Sequence, residues 1–181
     1  MANATGPFGL RPIGNVNGFP TSGGLVACRL GVALPDVCYI GDPVLYNTDK
    51  SDGDDPPTMP NIMLSAGTAG TIVLGAIVAF DANPDNLSLQ YNTTLTNRIA
   101  YCAMGPDWIF EIRGDGSGTY NTAWVGANAA MVDAGGDTVT GLSGFQLDET
   151  TPAATQNMAL HILGHSTKSD NEGATYSVWN V

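Results

Sequence analysis

Tyr39-Ile-Gly-Asp-Pro-Val-Leu-Tyr46, answered by Gly70-Thr-Ile-Val-Leu-Gly-Ala-Ile-Val-Ala-Phe80, decides the fold class. In the first stretch a turn at Gly41-Asp42-Pro43 interrupts an apolar run that resumes at Val44. In the second, β-branched and aliphatic residues are broken only by Gly75, where a strand can bend without a Cβ clash. Both read as strands of a small β-barrel, with the apolar face of 71–80, Ile72 included, expected in its core. Asp107-Trp-Ile-Phe-Glu-Ile-Arg113 adds a strand on which Trp108, Phe110 and Ile112 alternate onto one face, which is core packing. Met158-Ala-Leu-His-Ile-Leu-Gly164 reads as a late strand.

Outward from these, strand-like runs recur at short spacing: 25–30, 37–46, 62–65, 71–80, 98–104, 108–113, 129–132, 145–148, 158–164 and 176–181. Turn residues separate nearly all of them. Gly114-Asp-Gly-Ser-Gly118 offers three glycines for a hairpin turn. Only 84–90, Pro-Asp-Asn-Leu-Ser-Leu-Gln, has a helical look, one or two turns long. Long loops over 47–60 and 133–144 fit contact elements or exposed tips. No fixed-period repeat and no second hydrophobic core is legible, which predicts one all-β barrel domain over 25–181.

Residues 1–24 precede it. They carry Gly6-Pro7, Pro12, Gly14, Gly18 and Pro20, among which Phe8, Leu10, Ile13, Val16 and Phe19 are spaced without helical or strand period. A solvated tail would rarely hold five large apolar side chains, so the segment reads as an extended arm with apolar anchors. Fully extended it would reach about 80 Å, far enough to cross onto a neighbouring subunit.

With 181 residues the chain can bury about 70% of its unfolded surface in one domain. Charged residues make up 13%, and 23 glycines accompany abundant Ser, Thr and Asn, a turn-rich β composition. Six basic residues against 17 acidic ones give a net charge of −11, with no basic run to neutralise phosphates, so direct nucleic-acid binding is not expected. Cys28, Cys38 and Cys102 are odd in number and scattered, which favours buried free thiols over a disulfide framework or zinc site. No apolar run approaches about 20 residues, so no membrane association is expected, and the amino terminus lacks the pattern of a signal peptide, which predicts synthesis in the cytoplasm.

Candidate constellations mostly have plainer readings. Asp49, Asp52, Asp54 and Asp55 miss the EF-hand template and read as a solvated acidic loop, with a weak, irregular cation site as the alternative. His161 and His165 have a zinc-like i, i+4 spacing, but on a strand they would stand about 13 Å apart. Arg113-Gly114-Asp115 spells an integrin tripeptide on a glycine turn that needs those glycines anyway. Neither Ser117 nor either histidine sits in a nucleophile context, and no glycine-rich stretch precedes a helix as a phosphate cradle would require. The chain is therefore expected not to be an enzyme and to need no cofactor or metal. Trp179 is expected to dock against the barrel or a neighbour.

In their order along the chain, Gly6-Pro-Phe-Gly-Leu-Arg-Pro12, Ile40-Gly-Asp-Pro-Val44, Gly70-Thr-Ile-Val-Leu-Gly-Ala-Ile-Val78, Asp107-Trp-Ile-Phe-Glu-Ile112, Gly141-Leu-Ser-Gly144 with Leu147-Asp148, and Leu160-His-Ile-Leu-Gly164 followed by Asp170-Asn-Glu172 resemble the cement, or decoration, proteins of tailed-bacteriophage capsids. The resemblance implies a tulip-like β-barrel on the capsid exterior that bridges neighbouring major capsid protein subunits, without a catalytic site. It implies contacts with neighbouring copies of itself, as dimer or trimer. By the same resemblance Phe8, Leu10, Arg11, Pro12, Ile13 and Phe19 of the arm would bind the capsid, and Gly41, Asp42, Pro43, Val44, Gly75, Trp108 and Phe110 would form the barrel core. A phage fibre or receptor- and carbohydrate-binding β module is the alternative that low charge and surface aromatics also suit.

Overall fold

A computed structural model describes residues 6–18, 23–30, 37–47, 59–93, 98–154, 157–168, 171 and 173–181. Strands β2 (Leu25–Leu30), β3 (Pro43–Tyr46), β4 (Asn61–Leu64), β5 (Gly75–Phe80) and β6 (Ile99–Met104) close a five-stranded barrel in the order β2-β4-β3-β5-β6. Only the β2–β4 contact is parallel; β6 returns antiparallel to β2, from Leu25 opposite Ala103 to Arg29 opposite Ile99. Beside the barrel stands a four-stranded sheet of β1 (Arg11–Asn15), β7 (Trp108–Arg113), β13 (Val178–Asn180) and β12 (Gly164–His165), in the order β1-β7-β13-β12. Short pairs complete the fold: β10 (Phe145–Leu147) on β9 (Met131–Asp133), and β11 (Leu160–His161) on β8 (Asn128–Ala129). A 3-10 turn, Thr122–Trp124, is capped by the Asn121 side chain. The all-β barrel read from the sequence is the fold.

The barrel is filled by Cys28, Leu30, Cys38, Val44, Ile62, Ile77, Ala100 and Cys102. All three cysteines are buried free thiols, and the hydrogen bond with Cys28, together with burial, pushes the Cys102 thiol up. A second core, absent from the sequence reading, gathers Leu10, Trp108, Phe110, Ile112, Met131, Phe145, Leu147, Leu160, Ile162 and Trp179 under the flanking sheet. Trp108 and Phe110 therefore belong to this sheet core and not to the barrel interior. Trp179, fully buried, lies at its centre, stacked on Tyr120 at 5.4 Å and met edge-on by His165 at 5.3 Å.

Ala76 and Ala103 explain how the cores join. They sit directly opposite each other on β5 and β6, yet they pack into the sheet core, while Ile77 and Cys102 next to them point into the barrel. A strand buried on both faces reads as a continuous apolar run, which is what 75–80 shows. The small side chains let the sheet approach the barrel wall.

The extended-arm reading of 1–24 is corrected over 11–15. Arg11 pairs with Glu111, Pro12 with Phe110, Gly14 with Ile109 and Asn15 with Trp108, with Ile13 set out as a bulge. Leu10 is 1% exposed inside the chain's own core. Leu10→Ala is accordingly expected to lower unfolding free energy by about 3 kcal/mol, the usual cost of an emptied leucine site; a denaturation midpoint unchanged from wild type would show that the segment is not integral to the fold.

Other expectations also shift. The strand expected over 71–80 begins at Gly75, and Ile72 is 67% exposed, so Ile72→Glu is expected to move stability by no more than about 0.5 kcal/mol in thermal melts. Residues 84–90 form no helix, because Asn83 and Asn86 accept from the Asp85 and Ser88 amides and close local turns instead. Residues 114–118 are no hairpin: Gly114 bridges Leu147, and Asp115 accepts from the Ser117 and Glu149 amides, which holds the Arg-Gly-Asp acid against the protein. His161 and His165 lie in different sheets, one bonded to Asn128 and the other beside Asn171.

Candidate functional site

The turn quoted first lies between two clefts. The Gly41 amide donates to Ile77 O (2.7 Å), the Ile77 amide to Asp42 O (3.0 Å), the Ile40 amide to Gly141 O (2.9 Å) and the Ser143 amide to Ile40 O (2.9 Å). On its amino-terminal side the Leu10 amide donates to Gly41 O at 2.8 Å. Here the backbones cross so closely that a Cβ on Gly41 would lie 2.3 Å from Phe8 O, and one on Gly9 would lie 2.3 Å from Gly41 O. Both glycines hold positive φ, at +97° and +67°, so two unrelated segments are pinned together at a point only glycine tolerates.

Residues of this turn line two clefts, the middle pair one and the flanking pair the other. Ile40 and Gly41 face one of about 380 Å³, lined also by Phe8, Leu10, Arg11, Pro12, Leu25, Ile77, Val78 and Leu142. Its walls are apolar and its polar group is Arg11, whose guanidinium carbon stands 4.5 Å from the Phe8 ring centroid. The Arg113 guanidinium approaches the same ring at 5.5 Å. Arg11 Nη2 also donates to Glu111 Oε2 at 2.5 Å, and Lys168 Nζ donates to that oxygen at 2.6 Å. Ser166 Oγ completes the set on Oε1 at 2.9 Å. Burial pushes the Glu111 carboxyl up, but hydrogen bonds from Lys168, Arg11 and Ser166 outweigh it and hold the group below its ordinary value.

Tyr39 and Asp42 face the other cleft, about 610 Å³, with Val37, Leu64, Ser65, Ala66, Asp133, Gly135, Gly136 and Phe145. The bridge between Cys38 and Asn92 sets Tyr39 against Tyr91, stacked at 5.5 Å, and the Gly136 backbone lies so close to the Tyr39 ring that a Cβ there would come within 2.1 Å. Asp42 is 2% exposed and accepts from the Tyr39 amide at 2.7 Å. Burial pushes its carboxyl up to about 7, in spite of hydrogen bonds from Ser143 and the Tyr39 backbone that favour the charged form.

Of the arm residues named from sequence, Phe8, Leu10, Arg11 and Pro12 are thus gathered in one cleft, as walls of a socket in their own chain. Ile13 is exposed on the bulge away from it, and Phe19 lies outside the described residues, as do Asp49, Asp52, Asp54 and Asp55. Gly41 and Asp42 separate the clefts, Pro43 and Val44 are buried at the head of β3, and Gly75 lies in the barrel wall. Sequence reasoning missed Leu25, Ile77, Val78, Leu142, Glu111 and Lys168. Leu142 arrives by a parallel bridge to Ile40, a contact across about a hundred residues that no local pattern announces. Among the described residues no group of three or more His, Cys, Asp or Glu is placed to hold a metal, and no helix is long and apolar enough to cross a membrane. Comparison with protein-family profiles, curated proteins and solved structures finds no match to this chain.

Proposed function

We propose that the protein is a structural virion component that binds the outer surface of a tailed-phage capsid and cements neighbouring major capsid protein subunits, without a chemical step. The observation that carries this reading is the apolar cleft: the segment whose sequence resembles cement proteins, Phe8 to Pro12, is spent on building a socket at the seam of barrel and sheet. A second apolar depression of about 320 Å³, with Val16 and Leu163 on its exposed rim and Ile109 between, extends the same kind of surface. Each large apolar side chain buried there by a partner contributes about 1.5–3 kcal/mol, against about 0–1 for an exposed ion pair, so attachment is expected to be apolar-dominated. Contacts repeated over a shell, with neighbouring copies of the protein included, multiply a modest gain by effective concentration. Electron microscopy of the intact particle tests the proposal: density for the barrel on the capsid exterior is the expected result, and its absence from the shell overturns it.

A fibre or carbohydrate-binding module is the second reading, favoured by the larger cleft, where Tyr39, Asp42, Ser65 and Asp133 offer the mixed aromatic and polar lining that suits sugar hydroxyls. Density at the tail tip would support it over the first.

A further inference from the structure

We propose that Cys28, Cys102 and Met104 form a binding site for a univalent soft metal ion, copper(I) or silver(I), at the seam where the barrel closes.

Register brings the sulfurs together. Cys102 stands opposite Val26 and Cys28 opposite Ala100, so the two cysteines are diagonal neighbours on β6 and β2, the strands that close the barrel. Both are fully buried in the barrel core, and a hydrogen bond joins their thiols. Met104, two residues beyond Cys102 and therefore on the same face of β6, packs against that core with its Sδ 3.5 Å from Cys28 Sγ. Buried thiols alone would be ordinary core filling. Here a third sulfur adjoins them from a partly buried residue, and Met104 also lines a cleft of about 320 Å³ with Gly24, Asp107 and Trp108. An ion entering from that cleft meets the methionine first and the thiols behind it.

Thiolate and thioether are soft donors, which select copper(I) and its like over hard cations. Zinc takes four ligands in a structural site, and among the described residues no group of three or more His, Cys, Asp or Glu is placed to supply them. The hydrogen bond from Cys102 holds the Cys28 thiol below its ordinary value in spite of burial, which makes Cys28 the sulfur that ionises. On binding, Cys28 releases its proton to solvent and its Sγ bonds the ion, while lone pairs of Met104 Sδ and Cys102 Sγ complete the set; nothing is oxidised or reduced. One thiolate against one univalent ion leaves no net charge in the core, where an unpaired charge would be costly. Metal–sulfur bonds of about 2.3 Å space trigonal sulfurs about 4 Å apart, so the Cys28–Met104 pair opens by about half an ångström, which the flexible methionine side chain allows.

Anaerobic titration of the full chain with silver nitrate in chloride-free buffer, and with copper(I) supplied as its bicinchoninate complex, tests the site, with zinc as the harder ion. Silver is expected to bind at one ion per chain, to raise the melting temperature, and to shift the amides of Cys28, Cys102 and Met104 while the remaining spectrum stays folded. Cys28→Ala is expected to lose at least about a hundredfold in silver affinity and Met104→Leu at least about tenfold, ligand losses at or above those known for outer-shell partners. Cys38→Ala, which removes another buried thiol of the same core, is expected to bind within about threefold of wild type. A melting temperature lowered by silver would mean that the ion reaches only the thiols of the unfolded chain, and overturns the proposal. So do Met104→Leu binding as wild type does, Cys38→Ala losing as much as Cys28→Ala, or zinc binding more tightly than silver. Should Cys28→Ala fail to fold, Met104→Leu carries the test, because that exchange conserves volume.

Discussion

Gly75→Ala is expected to leave no stably folded protein. Gly75 stands where three strands meet, opposite Val44 on β3 and Met104 on β6, and a Cβ added there would lie 1.9 Å from Ala103 O and 2.8 Å from the Met104 Cα. Overpacking absorbed by side chains costs about 1–3 kcal/mol. Here the obstacle is backbone in a closed barrel, which cannot yield on one side without opening on the other. The cost should therefore reach the order of 5 kcal/mol, the lower end of a domain's whole stability. Soluble yield and urea midpoint measure it, with Gly164→Ala as control, because nothing lies within 4 Å of a Cβ at Gly164. A Gly75→Ala protein with a wild-type midpoint would refute the closed-barrel register.

Asp42→Asn is expected to stabilise the protein above pH 7 and to change little near pH 4. The carboxyl titrates at about 7 when folded, raised by burial from an ordinary 3.8. Between those values the folded state holds a proton that the unfolded state has lost, so wild-type stability falls as pH rises from about 4 to about 7 and is level beyond. A difference of roughly 3 units corresponds to about 4 kcal/mol at 1.36 kcal/mol per unit. Asparagine keeps an oxygen for the Tyr39 amide and carries no charge, so its melting temperature at pH 8 should exceed wild type by on the order of 10 °C. Glu111 acts in the opposite sense, its stabilisation being lost as pH falls below the carboxylate range, and it should dominate the acid limb in both proteins. Persistence of the full pH 4–7 slope in Asp42→Asn would remove Asp42 as its source.

Where burial followed alternation, the sequence was readable. Trp108–Arg113 was expected with the bounds observed, because Trp108, Phe110 and Ile112 mark one face. Leu25–Leu30 and Ile99–Met104 were likewise legible. β1 was not, since Pro12 and Gly14 carry no strand signal and the ladder exists only because β7 supplies it from about a hundred residues away. The two cores draw on the same apolar residue types, so composition could not divide them; only the pairing of Ala76 with Ala103 does. Of the candidate site, Phe8, Leu10, Arg11 and Pro12 were singled out from sequence, but as groups reaching outward. That they enclose a cleft depends on the Gly9–Gly41 crossing, a contact between segments some thirty residues apart that each glycine alone does not reveal.

The wall of β5 and β6 has a consequence for how the molecule comes apart. Because Ala76 and Ala103 serve one core while Ile77 and Cys102, their neighbours on the same strands, serve the other, neither core can lose water exclusion without exposing the back of the other. Barrel and sheet are therefore expected to unfold as a single cooperative unit, despite having two interiors. A deletion designed to remove only the amino-terminal segment withdraws Leu10 from the shared structure and so acts on the barrel as well. Insertions are then expected to be tolerated at exposed turns that touch neither interior, such as 84–88, and an engineered variant built from the barrel alone would need a new covering for the outer face of β5 and β6.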